Sequence, residues 1–313
     1  MPIPIILDCD PGTDDALAIL LALASPELSV LAITVAGGNV GLTHTLRNAC
    51  ALTTLAAAKT PVHAGADRPL LGTFVSATTI HGDNGLGGII LPDGAPPASG
   101  LAADTIRGIL RGSADPVTLV GIGPATNLAL ALTTEPALTA KVAQIVLMSG
   151  AWAEGNVTPA AEFNAWSDPE ALAILLQSGR PVVFATLELT AQALVTPARI
   201  AAWRSLGQGR CLQAACDIQA TVPPSPRLAG APLHDPCAVA WLIRPDLFTA
   251  RPCSVRVDLG PGPGRGRTLI DRWDRDGSPP GSPFGDPLNA AVLETLDAPG
   301  FFDMLGERLA RLP

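Results

Sequence analysis

Residues 5–15 of this chain read Ile5-Ile6-Leu7-Asp8-Cys9-Asp10-Pro11-Gly12-Thr13-Asp14-Asp15. A short apolar strand runs into a Pro-Gly corner, and residues 16–24 behind it have the apolar pattern of a helix. In an open α/β sheet, ligands bind where a strand ends and the next helix begins. The segment therefore predicts such a sheet, with a ligand site at its first strand-to-helix turn.

Four aspartates crowd this turn: Asp8, Asp10, Asp14 and Asp15. A helix dipole supplies about half a positive charge, which is too little to offset four carboxylates. With no lysine or arginine nearby in the sequence, a bound divalent cation is the economical explanation. Oxygen ligands alone favour Ca²⁺ or Mg²⁺ over Zn²⁺. The alternative interpretation is a charged helix cap beside a turn.

The composition limits the classes of protein to consider. The 313 residues are 48% hydrophobic, with a positive mean hydropathy, which is enough for a large core. A net charge of −8 and a pI near 4.9 argue against nucleic-acid partners and anionic membranes. The N-terminus lacks a basic leader, and the apolar stretch 16–36 is interrupted by Ser25-Pro26-Glu27. We expect a soluble, cytoplasmic protein that has no membrane partner and keeps its cysteines as reduced, buried thiols.

Apolar strands alternate with helical patterns along the chain. This alternation predicts an α/β fold in a single domain, residues 1–313, with a doubly wound, mostly parallel sheet and helices on both faces. Residues 255–271 predict a small C-terminal hairpin, and Asp286-Pro287 predicts the start of a C-terminal helix. The other predicted strands are 28–35, 117–122, 144–149 and 181–185, and the other predicted helices are 43–58, 104–111, 125–132 and 169–177.

Two segments interrupt the alternation. Residues 66–100 are rich in Gly, Pro and Thr, and residues 207–233 predict a helix followed by a proline-rich loop. Long irregular loops in compact α/β proteins often cover active sites. We therefore expect both segments to lie near the ligand.

Polar clusters follow the predicted strands and should converge at one edge of the sheet. Taken singly, each cluster is weak evidence for a ligand site. Asn39 after two glycines is typical of a turn, and Asp235 before Pro236 is typical of a helix cap. Together, their carboxylates, amides and histidines suit a small polyhydroxylated ligand held on a metal. The clusters contain Asn39, His81, Asn127, Met148, Asn156, Glu162, Asn164, His234 and Asp235.

In this order and spacing, the motifs resemble the inosine-uridine-preferring nucleoside hydrolase family. The resemblance extends from Asp8 to about Asp271. It is carried by the N-terminal Asp-Cys-Asp-Pro-Gly-Thr-Asp-Asp motif and by residues 155–170, which contain Ala-Glu-Phe-Asn and Asp-Pro-Glu. It implies Ca²⁺-dependent hydrolysis of the N-glycosidic bond of ribonucleosides, giving free base and ribose in nucleoside salvage. The pyrimidine- and inosine-active group fits best.

The resemblance also assigns roles to residues. It implies a Ca²⁺ ion held by Asp10, Asp15, Asp235 and the backbone carbonyl of Ile122, with Thr126 left open as the alternative carbonyl. The ion would hold the attacking water, Asp10 would act as general base, and His234 could protonate the leaving base. The substrate residues implied are Asp14, Asn39, His81, Met148, Asn156, Glu162 and Asn164.

The mechanism that these positions imply passes through an oxocarbenium-like transition state, because base departure leaves positive charge on the ribose. Surrounding carboxylates and amides favour that state over the neutral substrate. Relatives of this kind are commonly tetramers or dimers, so we expect a homo-oligomer.

One departure from the family concerns the base end of the site. The chain has no tyrosine, whereas relatives usually place one in the loop before His-Asp-Pro. Base preference is therefore open, and so is a catalytically altered relative that binds a nucleoside or Ca²⁺ without turnover. A haloacid-dehalogenase-like phosphatase is a further alternative, but it needs a downstream lysine. Neither Lys59 nor Lys141 lies in a matching motif.

Overall fold

The structure is a computed structural model that describes residues 1–273 and 288–313. Its strands and helices alternate along most of the chain, as predicted. The strands are β1 Ile3–Cys9, β2 Leu28–Val35, β3 Val62–Ala64, β4 Val117–Gly121, β5 Val142–Met148, β6 Val182–Ala185, β7 Leu194–Val195, β8 Ala231–Pro232, β9 Phe248–Val257, β10 Thr268–Asp271 and β11 Ala290–Leu296. The helices are α1 Thr13–Ala24, α2 Leu42–Leu55, α3 Thr78–His81, α4 Ala102–Gly112, α5 Thr126–Thr134, α6 Phe163–Ser167, α7 Pro169–Leu176, α8 Leu187–Thr190, α9 Pro197–Arg204, α10 Arg210–Thr221, α11 Asp235–Ile243 and α12 Ala298–Leu309, with 3₁₀ turns at Pro136–Lys141 and Pro245–Leu247.

Nine strands of the described part of the chain form one sheet, in the order β10-β9-β11-β6-β5-β4-β1-β2-β3. All pairs from β11 to β3 are parallel, whereas β9 runs antiparallel to both β11 and β10. This confirms the mostly parallel sheet. The predicted hairpin 255–271 also forms, as β9 and β10, but it extends the main sheet at its edge. A separate two-stranded ribbon joins β7 to β8.

Helices cover both faces of the sheet, as the doubly wound prediction required. Because successive side chains of a strand point to opposite faces, β1 contributes to two cores. Ile5 and Leu7 pack in the core that holds α1, α2, α10, α11 and α12, while Ile6 packs in the core that holds α4, α5 and α7. All three side chains are fully buried. Each contributes about 1.5–3 kcal/mol to folding by leaving water.

The parallel register places the functional turns at one edge. Cys9 pairs with Val35, and Asp8 pairs with Gly121, so β1, β2 and β4 end together. Met148, the last residue of β5, pairs with the last residue of β6. The segments that follow these strands therefore start side by side.

The C-terminal prediction was only partly right. Asp286 and Pro287 lie outside the described residues. After them comes β11, which was not predicted, and the last helix begins at Ala298. Its N-cap is Asp297, whose side chain accepts the Gly300 N–H at 3.2 Å. The last helix thus has an aspartate cap and an early proline, Pro299, the kind of start signal that the sequence pattern offered at 286–287.

Two further predictions concern the whole chain. All six cysteines are free and buried, as expected. Among the described residues, no helix combines the length and the apolar character needed to cross a bilayer. The single-domain assignment, 1–313, stays a prediction.

Candidate active site

A pocket of about 710 Å³ opens at the edge where the parallel strands end. Segments 75–81 and 222–228 form part of its wall, so both predicted irregular regions reach the site. Asp10 and Asp15, fully buried, belong to the same turn as Asp14. The predicted residues that line the pocket are Asp14, Asn39, His81, Ile122, Met148, Asn156, Glu162, Asn164, His234 and Asp235.

Asp15 organises the turn between β1 and α1. It is the third residue of the helix, and its Oδ2 accepts the Gly12 N–H at 2.9 Å, as in a capping box. The same oxygen accepts a hydrogen bond from the Asn39 amide at 3.0 Å, and Oδ1 accepts the Asp10 N–H at 3.1 Å. Asn39 thus joins the end of β2 to the start of α1. The sequence predicted this convergence but not its bonds.

The Asp10 carboxylate lies between two glycines. Its Oδ2 accepts the Asn39 N–H at 2.7 Å, whereas its buried Oδ1 has no hydrogen-bond partner among the described residues. A Cβ on Gly38 would lie 2.1 Å from Oδ2, and one on Gly123 would lie 2.3 Å from Oδ1. Only glycine fits at either position. An unpartnered buried carboxylate oxygen costs free energy unless a ligand satisfies it.

The aspartates repel one another in a region that excludes water. Burial, with further repulsion from Asp14, raises the pKa of Asp15 to about 7. Burial and then the charge of Asp15 raise the pKa of Asp10 well above its usual range. Burial, followed by the charges of Asp14 and Asp15, does the same for Asp235. Asp8, one strand residue before Cys9, has its pKa raised to about 7 by burial.

These residues fit a hard divalent cation. Carboxylate oxygens of Asp14, Asp15 and Asp235 lie within 4.8 Å of one another. Because these carboxylates repel one another, a cation between Asp15 and Asp235 would relieve the repulsion. The donor set is entirely oxygen, which suits Ca²⁺ or Mg²⁺. Asp10 is not in this trio, although Asp15 accepts its N–H.

The backbone carbonyl of Ile122 lies on the pocket wall and accepts the Asn164 amide at 3.0 Å, which leaves its second lone pair available. Thr126, the alternative, is the first residue of α5. Its hydroxyl donates to Asp168 at 2.6 Å. These contacts involve the Ile122 carbonyl and the Thr126 hydroxyl, and the choice between the two backbone carbonyls stays a prediction.

Glu162 and Asn164 stand at the N-terminus of α6. Glu162 accepts the N–H groups of Gly150 at 2.8 Å, Asn164 at 2.8 Å and Ala165 at 3.0 Å. Burial nevertheless raises its pKa, against these hydrogen bonds. The Asn164 amide donates to the carbonyls of both Ile122 and Met148 at 3.0 Å. The two side chains are held rigidly before any ligand binds.

Asn156 and Met148 complete the predicted sugar side. Asn156 lies in an exposed loop, and its Oδ1 accepts the Phe163 N–H at 2.8 Å. Met148 ends β5, and its sulfur lies 3.7 Å from the Asn164 amide. Both line the pocket beside Glu162.

Two histidines, His81 and His234, also line the pocket. His81 Nδ1 accepts the backbone N–H of Thr13 at 3.1 Å. His234 Nδ1 lies 2.7 Å from the hydroxyl of Thr190, at the end of α8. Burial lowers the pKa of both rings, and the charge of Asp14 opposes that shift in each.

Several pocket residues carried no signal in the sequence. Phe163 is a phenyl side chain on the pocket wall, whereas the sequence analysis assigned roles only to its neighbours Glu162 and Asn164. Gln219 of α10 donates to the Thr13 carbonyl at 3.1 Å. Arg227 forms an ion pair with Glu154 between two loops. Their positions depend on how distant segments pack, which no local pattern encodes.

The chain as a whole is similar to known nucleoside hydrolases. The sequence profile of the family described as inosine-uridine preferring nucleoside hydrolase matches residues 5–303. Pyrimidine-specific ribonucleoside hydrolase RihA of Salmonella gallinarum is 44% identical over 315 aligned positions, covering 99% of each chain. The structure of a purine-preferring ribonucleoside hydrolase from Gardnerella vaginalis has a TM-score of 0.89 and 34% identity over 98% of both chains. An inosine-guanosine nucleoside hydrolase has a TM-score of 0.90 and 30% identity over both full lengths.

The class that this fold shares with those proteins is that of the nucleoside hydrolases. The chain belongs to the inosine-uridine preferring nucleoside hydrolase family. Because the chain belongs to this family, its N-terminal aspartate motif is explained, and the haloacid-dehalogenase-like phosphatase is no longer needed as an explanation. Lys141, moreover, donates to the carbonyl of Ser113, next to the end of α4.

Proposed function

We propose that this protein is a Ca²⁺-dependent hydrolase of ribonucleosides that prefers pyrimidine bases. The observation that carries the proposal is the combination of buried aspartates, with an unpartnered oxygen on Asp10, and an amide-lined pocket beside them. A cation satisfies the first feature, and a ribose with its hydroxyl groups suits the second.

Asp15, Asp235, Asp10 and the Ile122 carbonyl would hold the ion. Bound there, Ca²⁺ supplies Lewis acidity to water and to sugar hydroxyls. Asp10 is the proposed general base: its Oδ1 has no partner within residues 1–273 and 288–313, so it is free to accept a proton. The Asn39 N–H fixes the other oxygen, which leaves Oδ1 in one orientation.

The sugar lies, in this proposal, against Asp14, Asn39, Met148, Asn156, Glu162 and Asn164. When the base departs, positive charge develops on the ribose. Glu162 and Asp14 are placed to stabilise that charge more than they stabilise the neutral substrate. Because backbone N–H groups already fix Glu162, little reorganisation is needed as the charge forms.

His234 is the proposed proton donor to the leaving base. It lies on the pocket wall next to Asp235, and its Nδ1 is engaged by Thr190. Burial lowers its pKa, whereas the charge of Asp14 favours the protonated ring. A proton arriving on Nε2 would face the pocket.

The preference for pyrimidines is supported by the 44% identity with RihA, whose name describes it as pyrimidine-specific. The structural relatives named for purine or inosine-guanosine preference are more distant, at 34% and 30% identity. In place of the tyrosine that relatives usually carry, the loop presents Pro223, Pro224 and Pro226 to the pocket. We further propose that the protein is cytoplasmic and forms a homo-oligomer, either a dimer or a tetramer. Light scattering would test the oligomeric state.

The proposed function is tested by kcat/KM for uridine, cytidine, inosine and adenosine with wild-type protein and Asp10→Asn. We expect uridine and cytidine to lead the series, and Asp10→Asn to lose about 10²-fold or more on each substrate. Wild-type activity in Asp10→Asn would refute Asp10 as the base. If wild-type protein binds these nucleosides but hydrolyses none, the chain is a binding relative instead.

A further inference from the structure

The hairpin of β9 and β10 contacts the segment that follows β5. Thr268 is the first residue of β10, and its side chain is buried. The Thr268 hydroxyl donates to the Ala151 carbonyl at 2.7 Å and accepts the Ala151 N–H at 2.9 Å. Ala151 is itself buried, three positions after the end of β5. One hydroxyl therefore satisfies both backbone groups of this residue.

The same side chain packs against Gly150. Gly150 has a positive φ of 77°, and a Cβ there would lie 2.8 Å from Cγ2 and 2.9 Å from Oγ1 of Thr268. Glycine is required here, because a side chain would be strained and would collide with Thr268. The Gly150 N–H donates to Oε2 of Glu162 at 2.8 Å. Gly150 therefore contacts both Thr268 and the Glu162 carboxylate.

The turn of the hairpin, residues 258–267, packs against α6, the helix that Glu162 caps. Gly266 has a positive φ of 80°, and a Cβ there would lie 2.6 Å from Cα of Trp166. Arg265, one residue earlier, forms an ion pair with Glu170 of α7, with 2.7 Å between Nη2 and Oε2. The hairpin thus contacts both backbone segments that donate hydrogen bonds to Glu162, which are the end of β5 and helix α6.

These two segments set the position of the Glu162 carboxylate. The bonds from the N–H groups of Asn164 and Ala165 lie within its own helix, whereas the bond from Gly150 ties it to the sheet. A carboxylate that stabilises developing positive charge is effective when it is already held in place. A misplacement of about 1 Å can reduce a rate by about 10²-fold. The Gly150 bond is therefore the contact through which a change in the hairpin would alter catalysis.

We propose that Thr268 is a positioning residue for Glu162, and that the β9–β10 hairpin supports the sugar side of the pocket through it. The proposal rests on the proposed function, which places Glu162 against the ribose. Thr268 holds Ala151 and Gly150 in place, and Gly150 holds the carboxylate. The hairpin at the edge of the sheet thereby takes part in stabilising the charge that develops on the sugar.

The kinetic test compares Thr268→Val with Thr268→Ser at saturating Ca²⁺. Valine has the shape of threonine but cannot bond Ala151, whereas serine keeps the hydroxyl. We expect Thr268→Val to lower kcat on uridine by about 10- to 100-fold, and Thr268→Ser to stay within about threefold of wild type. The control is Thr295→Val, which removes an exposed hydroxyl paired with Thr249 between β9 and β11 and should keep the wild-type kcat. Wild-type kcat in Thr268→Val would overturn the proposal.

Two readouts distinguish the positioning of Glu162 from a general structural effect. On p-nitrophenyl riboside, whose leaving group needs no proton, Thr268→Val should lose as much kcat as on uridine, because charge develops on the ribose in both reactions. In a Glu162→Gln background, Thr268→Val should cost less than about twofold, since its effect passes through the missing carboxylate. A loss confined to uridine, or losses that multiply in the double variant, would contradict the proposal.

Hydrogen exchange of the full-length protein tests the arrangement without turnover. In Thr268→Val, the N–H groups of residues 149–153 should exchange about tenfold faster or more, measured by mass spectrometry, because Ala151 loses its partner. Thr268→Ser and Thr295→Val should exchange like wild type. Unchanged exchange in Thr268→Val would refute the proposal, even when wild-type protein hydrolyses uridine. If wild-type protein hydrolyses no nucleoside, the proposed function fails, while faster exchange still supports the contact from Thr268 to Glu162.

Discussion

Stability of the metal-free protein should fall as the pH rises, because its buried aspartates bind protons more tightly when folded. Burial raises the pKa of Asp8 and of Asp15 from 3.8 to about 7. An acid with a raised native pKa stabilises the fold below its unfolded pKa. That contribution is lost as the pH rises through the native pKa. The window therefore runs from about pH 4 to about pH 7.

Asp8 gives the magnitude most cleanly, since it is not among the proposed metal ligands. Its Oδ1 accepts the Thr34 hydroxyl at 2.5 Å and the Asn127 amide at 2.9 Å, while its buried Oδ2 has no partner among the described residues. A shift of about 3 pKa units corresponds to about 4 kcal/mol in all. Roughly 3 kcal/mol of this should be lost between about pH 5 and about pH 8.

The assay is urea unfolding across that pH range, with a chelator and separately with Ca²⁺, for wild type and Asp8→Asn. Asparagine mimics the protonated acid, so the variant should lose roughly 3 kcal/mol less than wild type over the range. The lowered pKa values of His81 and His234 act in the opposite direction, but they are common to both proteins and cancel. Stabilisation by Ca²⁺ should grow with pH, because the ion competes with protons for Asp15 and Asp235. Parallel curves for wild type and Asp8→Asn would refute the raised pKa of Asp8.

Two further substitutions probe the site. Gly123→Ala would place a Cβ 2.3 Å from Asp10 Oδ1 and should reduce turnover by about 10²-fold or more, measured as kcat on uridine. Gly108→Ala, on α4 with open space around it, is the matched control and should keep activity while gaining up to about 1 kcal/mol in unfolding free energy. Thr190→Val removes the hydroxyl that meets His234 and should lower kcat on uridine by about tenfold. Thr190→Ser should stay within about twofold of wild type, and both Thr190 variants should hydrolyse p-nitrophenyl riboside at the wild-type rate. Equal losses on the two substrates would argue against a role through His234.

The sequence predicted most of the fold because parallel, buried strands have a strong local signature. The strands 28–35 and 117–122 appear within a residue of their expected ends. β11 was missed, since its place between β6 and β9 depends on pairing with residues far away in the chain. The helix predicted over 43–58 ends earlier, at Leu55, and Ala57 adopts a positive φ of 52°.

The site was predictable where its residues follow strands directly, as Asp10, Asn39 and Ile122 do. Their convergence follows from parallel topology alone. Details that depend on atomic contacts were not predictable. No pattern indicated that Asp10 would be enclosed by Gly38 and Gly123. Likewise, the bond from Thr13 to His81 joins residues 68 positions apart, through a four-residue helix in an irregular loop.

The central claim is that a cation bound by the buried aspartates makes this pocket a hydrolase of pyrimidine ribonucleosides. The most direct measurement is the rate of uracil release from uridine after exhaustive chelation and again after Ca²⁺ is restored. We expect release to stop on chelation and to return with Ca²⁺. Unchanged release by the metal-free protein would contradict the account.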